Sequence, residues 1–167
     1  MRLNLQAVIH TPGASLPFDF QMDLSGLDFY GEHPIREMVR VSGVVRNMAD
    51  ALVLEGEAAV TLDLVCDRCL KPFRREMRAA VNTLLAETLE DEENDDIILL
   101  EHGEVDLDEV FTTALILDMD SKHLCAEDCK GLCPHCGADL NEGPCQCRPE
   151  VDPRLAVLAQ LLDKESN

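Results

Sequence analysis

Cysteine spacing is the feature that most constrains how this chain can fold. Six of the eight cysteines lie within residues 125–147, and the other two lie in the motif Cys-Asp-Arg-Cys at 66–69. Two thiolates three positions apart can chelate one tetrahedral metal ion. We therefore predict a metal site in the tail, formed by Cys133, Cys136, Cys145 and Cys147. The alternative is a reduced, metal-free loop, which would expose bare thiols to oxidation.

The other four cysteines are candidates for another metal site, which would tie the middle of the chain to its tail. They are Cys66, Cys69, Cys125 and Cys129. Two further interpretations of the Cys66–Cys69 pair stay open: a redox dithiol, or two structural cysteines at a turn. His123 and His135, beside and within the tail motif, are alternative ligands. All-cysteine sites are closed and structural, so the expected metal is zinc and its expected role is to stabilise the fold.

Alternation of apolar and polar residues predicts strands over roughly the first hundred residues. Within residues 1–24 two strand-like segments flank Thr11-Pro12-Gly13, and residues 25–37 have the composition of a loop. A three-strand antiparallel meander is then predicted, with a bulge at Gly43 and its last hairpin turn at Asp67–Pro72. Its strands, together with a later short one, are expected at 38–48, 52–66, 73–85 and 97–100.

Two helices are predicted in the second part of the chain. Asp106 as N-cap begins the first, whose apolar face is expected to be Leu107, Val110, Phe111, Ala114 and Leu117. Asp152 as N-cap and Pro153 begin the second. We therefore predict an α+β fold with an antiparallel sheet, a few helices and a zinc-stapled, cysteine-rich C-terminal segment. The expected units are a β domain at 1–104, with an acidic loop at 86–96, and residues 105–167, whose last helix packs on the first unit.

Charge narrows the partners that the chain can have. Its 14 Lys and Arg face 33 Asp and Glu, which gives a net charge of −19. Such a chain is a poor general nucleic-acid-coating protein and a poor ligand for anionic membranes, but it attracts highly basic proteins. No apolar run approaches the roughly 20 residues of a membrane span, and the first residues lack the apolar core of a signal peptide. We expect a cytoplasmic protein, in which cysteines serve as metal ligands rather than as disulfides.

One local exception to the acidic composition follows the Cys-Asp-Arg-Cys motif. Five cations and a single acid lie within residues 68–78, which we call the basic strip: Arg68, Lys71, Arg74, Arg75 and Arg78. Such a strip can contact the phosphates of one shaped RNA. The alternative is intramolecular pairing with the acidic run at 87–96. Phe73 is the only aromatic residue of the strip, so base stacking has little support.

Signatures of enzymatic activity are missing from the sequence. It contains no phosphate-binding loop, dinucleotide fingerprint, nucleophile elbow or HExxH motif. A catalytic zinc site would need an open coordination position, which an all-cysteine site lacks. We expect neither catalysis nor a small-molecule substrate.

Three stretches resemble the YceD family of large-ribosomal-RNA-subunit accumulation proteins. They are LEGEAAVTLDLVCDRCLKPF at 54–73, EVDLDEV at 104–110, and LCAEDCKGLCPHCGADLN at 124–141 with the following CQC and DPRLAVLAQLL. By position, Cys66, Arg68 and Cys69 match the family's CxRC motif. The six later cysteines match its cysteine-rich tail.

The resemblance implies a non-enzymatic ribosome biogenesis factor that promotes accumulation or maturation of the large-subunit ribosomal RNA. Its expected partner is that RNA, contacted through the basic strip, or a basic large-subunit ribosomal protein held by the acidic surface. Two alternatives stay open. One is a zinc-stapled protein-interaction module unrelated to ribosomes, and the other is a thiol–disulfide redox protein that uses Cys66 and Cys69.

Overall fold

The alternating segments of the sequence build one twisted, mostly antiparallel sheet. It is seen in a computed structural model, which describes residues 1–49, 51–88 and 97–147. The strand order is β2-β3-β4-β5-β6, with antiparallel pairing from β2 to β5 and parallel pairing between β5 and β6. The strands are β2 (Ser15–Met22), β3 (Val39–Met48), β4 (Ala51–Val65), β5 (Pro72–Ala86) and β6 (Ile97–Leu99). With the helices below, this confirms the predicted α+β class.

A second, two-stranded sheet joins the start of the chain to the helical part. Its strands are β1 (Arg2–Asn4) and β7 (Glu104–Asp106), paired antiparallel. The predicted alternation through residue 9 is wrong beyond β1, because a short helix, α1 (Gln6–Ile9), follows. The Asn4 side chain accepts a hydrogen bond from the Gln6 backbone N–H at 3.1 Å, which turns the chain out of the strand. The turn buries Leu5 and Val8, three positions apart.

The long helix α2 (Leu107–Asp118) covers one face of the sheet. Asp106 is its N-cap, as predicted, and the Asp106 side chain accepts a hydrogen bond from the backbone N–H of Asp108. The buried positions are Leu107, Phe111 and Leu115, which recur every four residues along the helix. The prediction that Leu117 faces the core is wrong, since this side chain is 78% exposed.

Two facing glycines make room at the centre of the core. Gly43 and Gly56 are partners across β3 and β4, and the pairing runs without interruption through both of them. The predicted bulge at Gly43 is therefore wrong. The Phe18 ring lies against Gly43, the Phe111 ring lies against Gly56, and the two ring centroids are 5.9 Å apart. Absence of a side chain at these positions lets strand and helix aromatic rings meet.

The hairpin between β4 and β5 is close to its predicted position. Val65 pairs with Pro72, so the turn comprises residues 66–71. Residues 89–96 of the predicted acidic loop and the predicted C-terminal helix lie outside the described residues. The division at residue 104 stays a prediction. Across the described ranges, no helix has the length and the apolar character needed to cross a membrane.

Candidate metal centres

The first candidate metal centre joins the β4–β5 hairpin to the segment that follows α2. The hairpin supplies Cys66 and Cys69, and the later segment supplies Cys125 and Cys129. The four sulfur atoms all lie within 4.8 Å of one another. The Cys66 and Cys129 sulfurs are 3.8 Å apart, and those of Cys69 and Cys125 are 3.6 Å apart. All of these residues except Cys125 are buried.

Local backbone bonds shape the hairpin into a knuckle that presents both of its sulfurs to one point. The Cys66 N–H donates to the Lys71 carbonyl, and the Leu70 N–H donates to the Cys66 carbonyl. Leu70 closes this turn with φ of 58°, in the left-handed region that side chains other than glycine seldom adopt. The motif thus folds as a tight turn around its two cysteines.

The second candidate metal centre lies within the tail. The sulfurs of Cys133, Cys136, Cys145 and Cys147 also lie within 4.8 Å of one another. A similar knuckle forms here, because the Gly137 N–H donates to the Cys133 carbonyl at 2.9 Å and Gly137 has φ of 72°. This centre is more open than the first. Cys133 is buried and Cys145 is half-buried, but Cys136 and Cys147 are exposed.

Both groups fit a tetrahedral metal ion by their donor chemistry and spacing. Four sulfurs at about 2.3 Å from a common centre would stand about 3.8 Å apart. The separations of 3.8 Å between Cys66 and Cys129 and 3.6 Å between Cys69 and Cys125 agree with that value. His123 and His135 belong to neither group, since each group already offers four sulfurs. The residues present therefore can hold two metal ions per chain.

The close approach of the sulfurs gives the thiols within each group very different pKa values. Burial would raise the pKa of Cys66, but hydrogen bonds from the backbone N–H groups of Cys125, Cys69 and Arg68 lower this pKa to about 6. The sulfur of Cys69 raises the pKa of Cys125 to about 12. In the tail group, backbone N–H groups lower the pKa of Cys133 to about 6, and the Cys136 sulfur raises that of Cys147 to about 12. Four neighbouring thiolates repel one another unless a cation lies between them.

The two residues between Cys66 and Cys69 fasten the later segment to the hairpin. The Asp67 N–H donates to the His123 carbonyl, and the Asp67 carboxylate accepts from the His123 N–H at 2.6 Å. The Arg68 guanidinium donates to the Cys129 carbonyl at 2.7 Å, and the Arg68 carbonyl accepts from the Leu132 N–H. Gly131 lies so close that an added Cβ would stand 2.9 Å from the Arg68 carbonyl oxygen. Asp67 and Arg68 therefore position the ligands of the first centre.

Sequence reasoning missed a second group of supporting residues in the tail. The Asn141 side chain accepts from the Lys130 N–H at 2.8 Å and donates to the Cys129 sulfur at 3.5 Å. Asp139 pairs with Lys71 of the hairpin at 2.7 Å. Side chains that hydrogen-bond to a metal ligand in this way orient that ligand. Their position immediately after the tail knuckle, in Gly-Ala-Asp-Leu-Asn, is the signal that could have identified them.

The basic strip is divided between the two faces of β5 and the hairpin turn. Arg74 and Arg78 lie on the exposed face, whereas Arg75 alternates onto the face toward Leu124. Each strip cation contacts a group of this chain. The contacts are Arg68 with the Cys129 carbonyl, Lys71 with Asp139 and Glu142, Arg74 with Asp63 and Glu37, Arg75 with Asp120 and the Leu124 carbonyl, and Arg78 with Glu57.

These ion pairs are reflected in the acidities of the groups involved. A hydrogen bond from Arg74 lowers the pKa of Asp63. The hydrogen bond to Asp139 raises the pKa of Lys71, and the same bond lowers the pKa of Asp139. The acids that pair with the strip differ from the run at 87–96 that the sequence indicated, most of which lies outside the described residues.

Comparison with known proteins relates the chain to a single family. The family model described as large ribosomal RNA subunit accumulation protein YceD matches residues 54–162. An uncharacterised protein of Mycobacterium tuberculosis is 31% identical over 127 residues, which cover 74% of this chain and 61% of that protein. An uncharacterised protein of Mycobacterium leprae is 25% identical over 122 residues, or 71% of this chain and 56% of the relative.

The chain thus matches about three fifths of the length of its curated relatives. No solved structure matches it significantly. The family match spans the β4–β5 hairpin and all eight cysteines of the two candidate centres, which is well over half of the chain. The chain belongs to the YceD family of large ribosomal RNA subunit accumulation proteins.

Proposed function

We propose that this protein is a non-enzymatic factor that promotes accumulation or maturation of the large-subunit ribosomal RNA by holding a basic large-subunit ribosomal protein. The family's description supports the ribosomal part of this proposal. The choice of a protein partner rests on one observation, which is that every cation of the basic strip contacts a group of the chain itself. Binding of RNA phosphates there would have to displace those contacts.

The charge of the whole chain supports the same choice. A net charge of −19 repels a polyphosphate and attracts a highly basic protein, and the attraction speeds encounter as well as favouring the complex. Unassembled ribosomal proteins need such a partner, because a strongly basic chain otherwise binds nucleic acid non-specifically. In this proposal the protein delivers or protects one component of the large subunit.

Zinc is the metal that we assign to both centres. Four cysteine thiolates in tetrahedral spacing are typical of structural zinc sites, which leave no coordination position open for a substrate. The metal's chemical contribution when bound is to neutralise the clustered thiolates and fix the backbone that carries them. Its proposed role is to hold the hairpin, the segment after α2 and the tail in one arrangement, without turnover.

The position of the Cys66–Cys69 pair argues against the thiol–disulfide alternative. A redox dithiol usually opens a helix, whose N-terminus stabilises the reactive thiolate. Here the pair lies in a β-hairpin, both residues are buried, and each sulfur lies beside a cysteine of the later segment. That environment favours metal ligation over exchange with an external disulfide.

Deletion of the gene in its source organism, with complementation, tests the ribosomal role. We expect a lower ratio of large- to small-subunit ribosomal RNA in the deletion strain. The wild-type chain should restore the ratio, and Cys66→Ser should not. An unchanged ratio in the deletion strain would contradict the proposed role.

The class of partner is tested separately by cross-linking a tagged chain in cells and treating the captured complexes with ribonuclease. We expect one basic large-subunit protein to remain bound after the treatment. If that protein is lost and only protected RNA fragments remain, the partner is RNA and the assignment to a protein is wrong.

A further inference from the structure

A groove runs along α2, and none of the eight candidate metal ligands lines it. It has a volume of about 610 Å³ and lies between α2, the middle of β5, β6 and β7. The helix contributes an apolar stripe to it, formed by Val110, Ala114 and Leu117. The stripe lies beside the fully buried Leu107, Phe111 and Leu115, and its Val110 and Ala114 are partly buried against the core. The apolar surface of the helix therefore continues from the core into the groove, where Leu117 is left exposed.

Two apolar residues that line the groove are strongly exposed. Leu117 on the helix is 78% exposed, and Leu99 on β6 is 49% exposed. Val81 and Ile98 contribute a half-buried apolar floor between them. Exposed apolar side chains that gather in one groove, rather than standing singly, mark an interaction site.

The rim of the groove is acidic. Four carboxylates line it, from Glu101, Glu104, Asp106 and Glu109, and the one cation among the lining residues is Arg2. Arg2 is already within 3.5 Å of Glu101 and 3.6 Å of Asp106. Glu104 and Glu109 have no cationic partner among the described residues, so the groove as a whole carries an excess of negative charge.

We propose that this groove binds an amphipathic, lysine- and arginine-rich segment of the protein partner. The inference rests on the proposed function, because it assigns the docking site of the basic ribosomal protein named there. Apolar side chains spaced by three and four residues on such a segment would lie against the stripe of Val110, Ala114 and Leu117, in the manner of helices that dock in apolar grooves. Its cations would meet the carboxylates of the rim.

Charge distinguishes this occupant from two others. A nucleic acid would bring phosphates toward four carboxylates, which disfavours binding. Residues 148–167 of the chain contain leucines, but they carry four acidic and three basic side chains, so they offer no excess of cations. A basic segment of another protein matches both the apolar floor and the acidic rim.

The groove can be tested with the full chain and a fluorescent 14-residue peptide of alternating leucine and lysine blocks, whose affinity is measured by anisotropy. We expect Leu117→Gln to weaken peptide binding at least about fivefold, because burial of a leucine side chain contributes much of such an interface. Ile116→Gln is the matched control. Ile116 is 40% exposed on the same helix but does not line the groove, so this variant should bind within about twofold of wild type.

The acidic rim is tested with the double variant Glu104→Gln and Glu109→Gln. It should weaken binding and flatten the dependence of the affinity on salt concentration, whereas a peptide with glutamate in place of lysine should not bind. Equal effects of the Leu117 and Ile116 variants, or affinity insensitive to all of these variants, would overturn the proposal. Far-ultraviolet circular dichroism and thermal unfolding of each variant establish that it is folded.

A photo-cross-linker separates the competing occupants. The photo-reactive residue benzoylphenylalanine replaces Leu117, and the full chain is irradiated without peptide. We expect no cross-link to residues 148–167. A dominant intramolecular cross-link to them would show that the chain fills its own groove and would overturn the proposal. The proposal would also be overturned if an RNA oligonucleotide displaced the lysine peptide and Leu117→Gln weakened binding of the RNA as much as binding of the peptide. If the peptide fails to bind but the deletion strain shows the lowered ribosomal RNA ratio, the proposed function stands without this groove. If the peptide binds the groove but the ratio is unchanged in the deletion strain, the function is removed but not the groove.

Discussion

At the scale of the residue, Gly43 is the position where the smallest change should cost the most stability. A Cβ built there would lie 2.5 Å from the Phe18 ring and 2.6 Å from the Gly56 Cα, and it would also overlap the Glu55 carbonyl oxygen. Backbone atoms of a paired strand cannot move aside as a flexible side chain can. We expect Gly43→Ala to destabilise the fold by about 1–3 kcal/mol or more, as over-packing of a core does. Urea unfolding measures this loss.

Gly26 provides the matched control for that variant. Nothing lies within 4 Å of a Cβ built at Gly26, and its backbone does not require a positive φ. Gly26→Ala should therefore leave the urea midpoint unchanged or slightly raised, because it restricts only the unfolded chain. A Gly43→Ala variant as stable as Gly26→Ala would contradict the close approach of β3 and β4 at Gly43 and Gly56.

Single residues also show where sequence reasoning reaches its limit. Arg68 carries a positive charge in the basic strip, for which the sequence leaves two interpretations open: contact with RNA phosphates, or pairing with the acidic run at 87–96. In the structure its guanidinium donates to the carbonyl of Cys129, 61 residues later in the chain. Whether a cation meets solvent or a distant backbone carbonyl depends on the tertiary approach of two segments. Local composition contains no information about that approach.

At the scale of the element, α2 depends on its first turn. Asp106 accepts a hydrogen bond from the Asp108 N–H and leads directly from β7 into the helix. We expect Asp106→Ala to lower the free energy of unfolding by about 1 kcal/mol, the usual cost of losing an N-cap. Asp106→Asn keeps the capping oxygen and should lose less. Thermal unfolding of the two variants, compared with wild type, tests the cap; equal loss in both would assign the effect to charge instead.

The charge of Asp106 adds a pH dependence to the same comparison. Burial would raise the pKa of Asp106, but the N-terminal ammonium and the N–H groups of Asp108 and Glu109 outweigh this effect and lower the pKa. The ionised form therefore stabilises the fold above the unfolded pKa of about 3.9, and this contribution disappears as the pH falls through the lower, folded pKa. The stability difference between wild type and Asp106→Asn should narrow below about pH 4.

Strands that are half-buried could be predicted, and elements whose environment is set by later residues could not. Period-two alternation placed β3, β4 and β5 to within a few residues, since one face of each lies on a core. The same alternation misled at residues 5–9, where Leu5 and Val8 are buried by a helical turn. Leu117 was assigned to the core because it shares a helical stripe with Val110 and Ala114. Val110 and Ala114 do pack partly against the core, but the stripe ends at the groove, where Leu117 is exposed.

The basic strip of β5 should prove more important to stability than to RNA binding. Arg74 bonds Asp63 at 2.7 Å, and Arg75 bonds the Leu124 carbonyl at 2.7 Å beside the segment that carries Cys125. We expect the double variant Arg74→Glu and Arg75→Glu to lower the thermal unfolding temperature, because it places glutamates against Asp63 and Asp120. The double variant and the wild-type chain should have the same affinity for large-subunit ribosomal RNA, measured by filter binding.

A control for the strip is available on the same strand. Among the residues that the structure describes, the one ion pair of Arg78 is with half-exposed Glu57 on the open face of the sheet. Arg78→Glu paired with Glu57→Arg should therefore restore the contact and leave stability near wild type. If Arg74→Glu with Arg75→Glu instead abolishes RNA binding at unchanged stability, the strip is an RNA-contacting surface and the choice of a protein partner in the proposed function is wrong.

At the scale of the whole molecule, the two cysteine groups connect parts of the chain that the sheet alone would leave separate. Counting and spacing indicated two sets of four, and the structure brings together the sulfurs of these same sets. What the sequence does not contain is the separation in space between Cys66 and Cys129, which depends on Asp67 and Arg68 holding the later segment. The extra contacts that Asn141 and Asp139 make with this assembly were missed for the same reason.

The last prediction concerns removal of metal. Elemental analysis of the purified chain should find two zinc ions, one for each four-cysteine group. A chelator should extract them in two phases, with the tail ion leaving first, because Cys136 and Cys147 are exposed whereas three of the four ligands of the first group are buried. The second phase should coincide with a large loss of thermal stability, since structural zinc contributes on the order of 10 kcal/mol to folds that depend on it.

Two matched variants assign each phase to its site. Cys136→Ser should remove only the first phase and leave the sheet nearly as stable as before, because its site lies wholly within the tail. Cys69→Ser should remove the second phase and strongly lower the unfolding temperature, because the first group holds the β4–β5 hairpin to the segment after α2. A chain that contains no metal and unfolds at the same temperature with and without chelator would contradict both assignments. In that case the hydrogen bonds of Asp67 and Arg68, rather than a shared ion, would be what joins the hairpin to the tail.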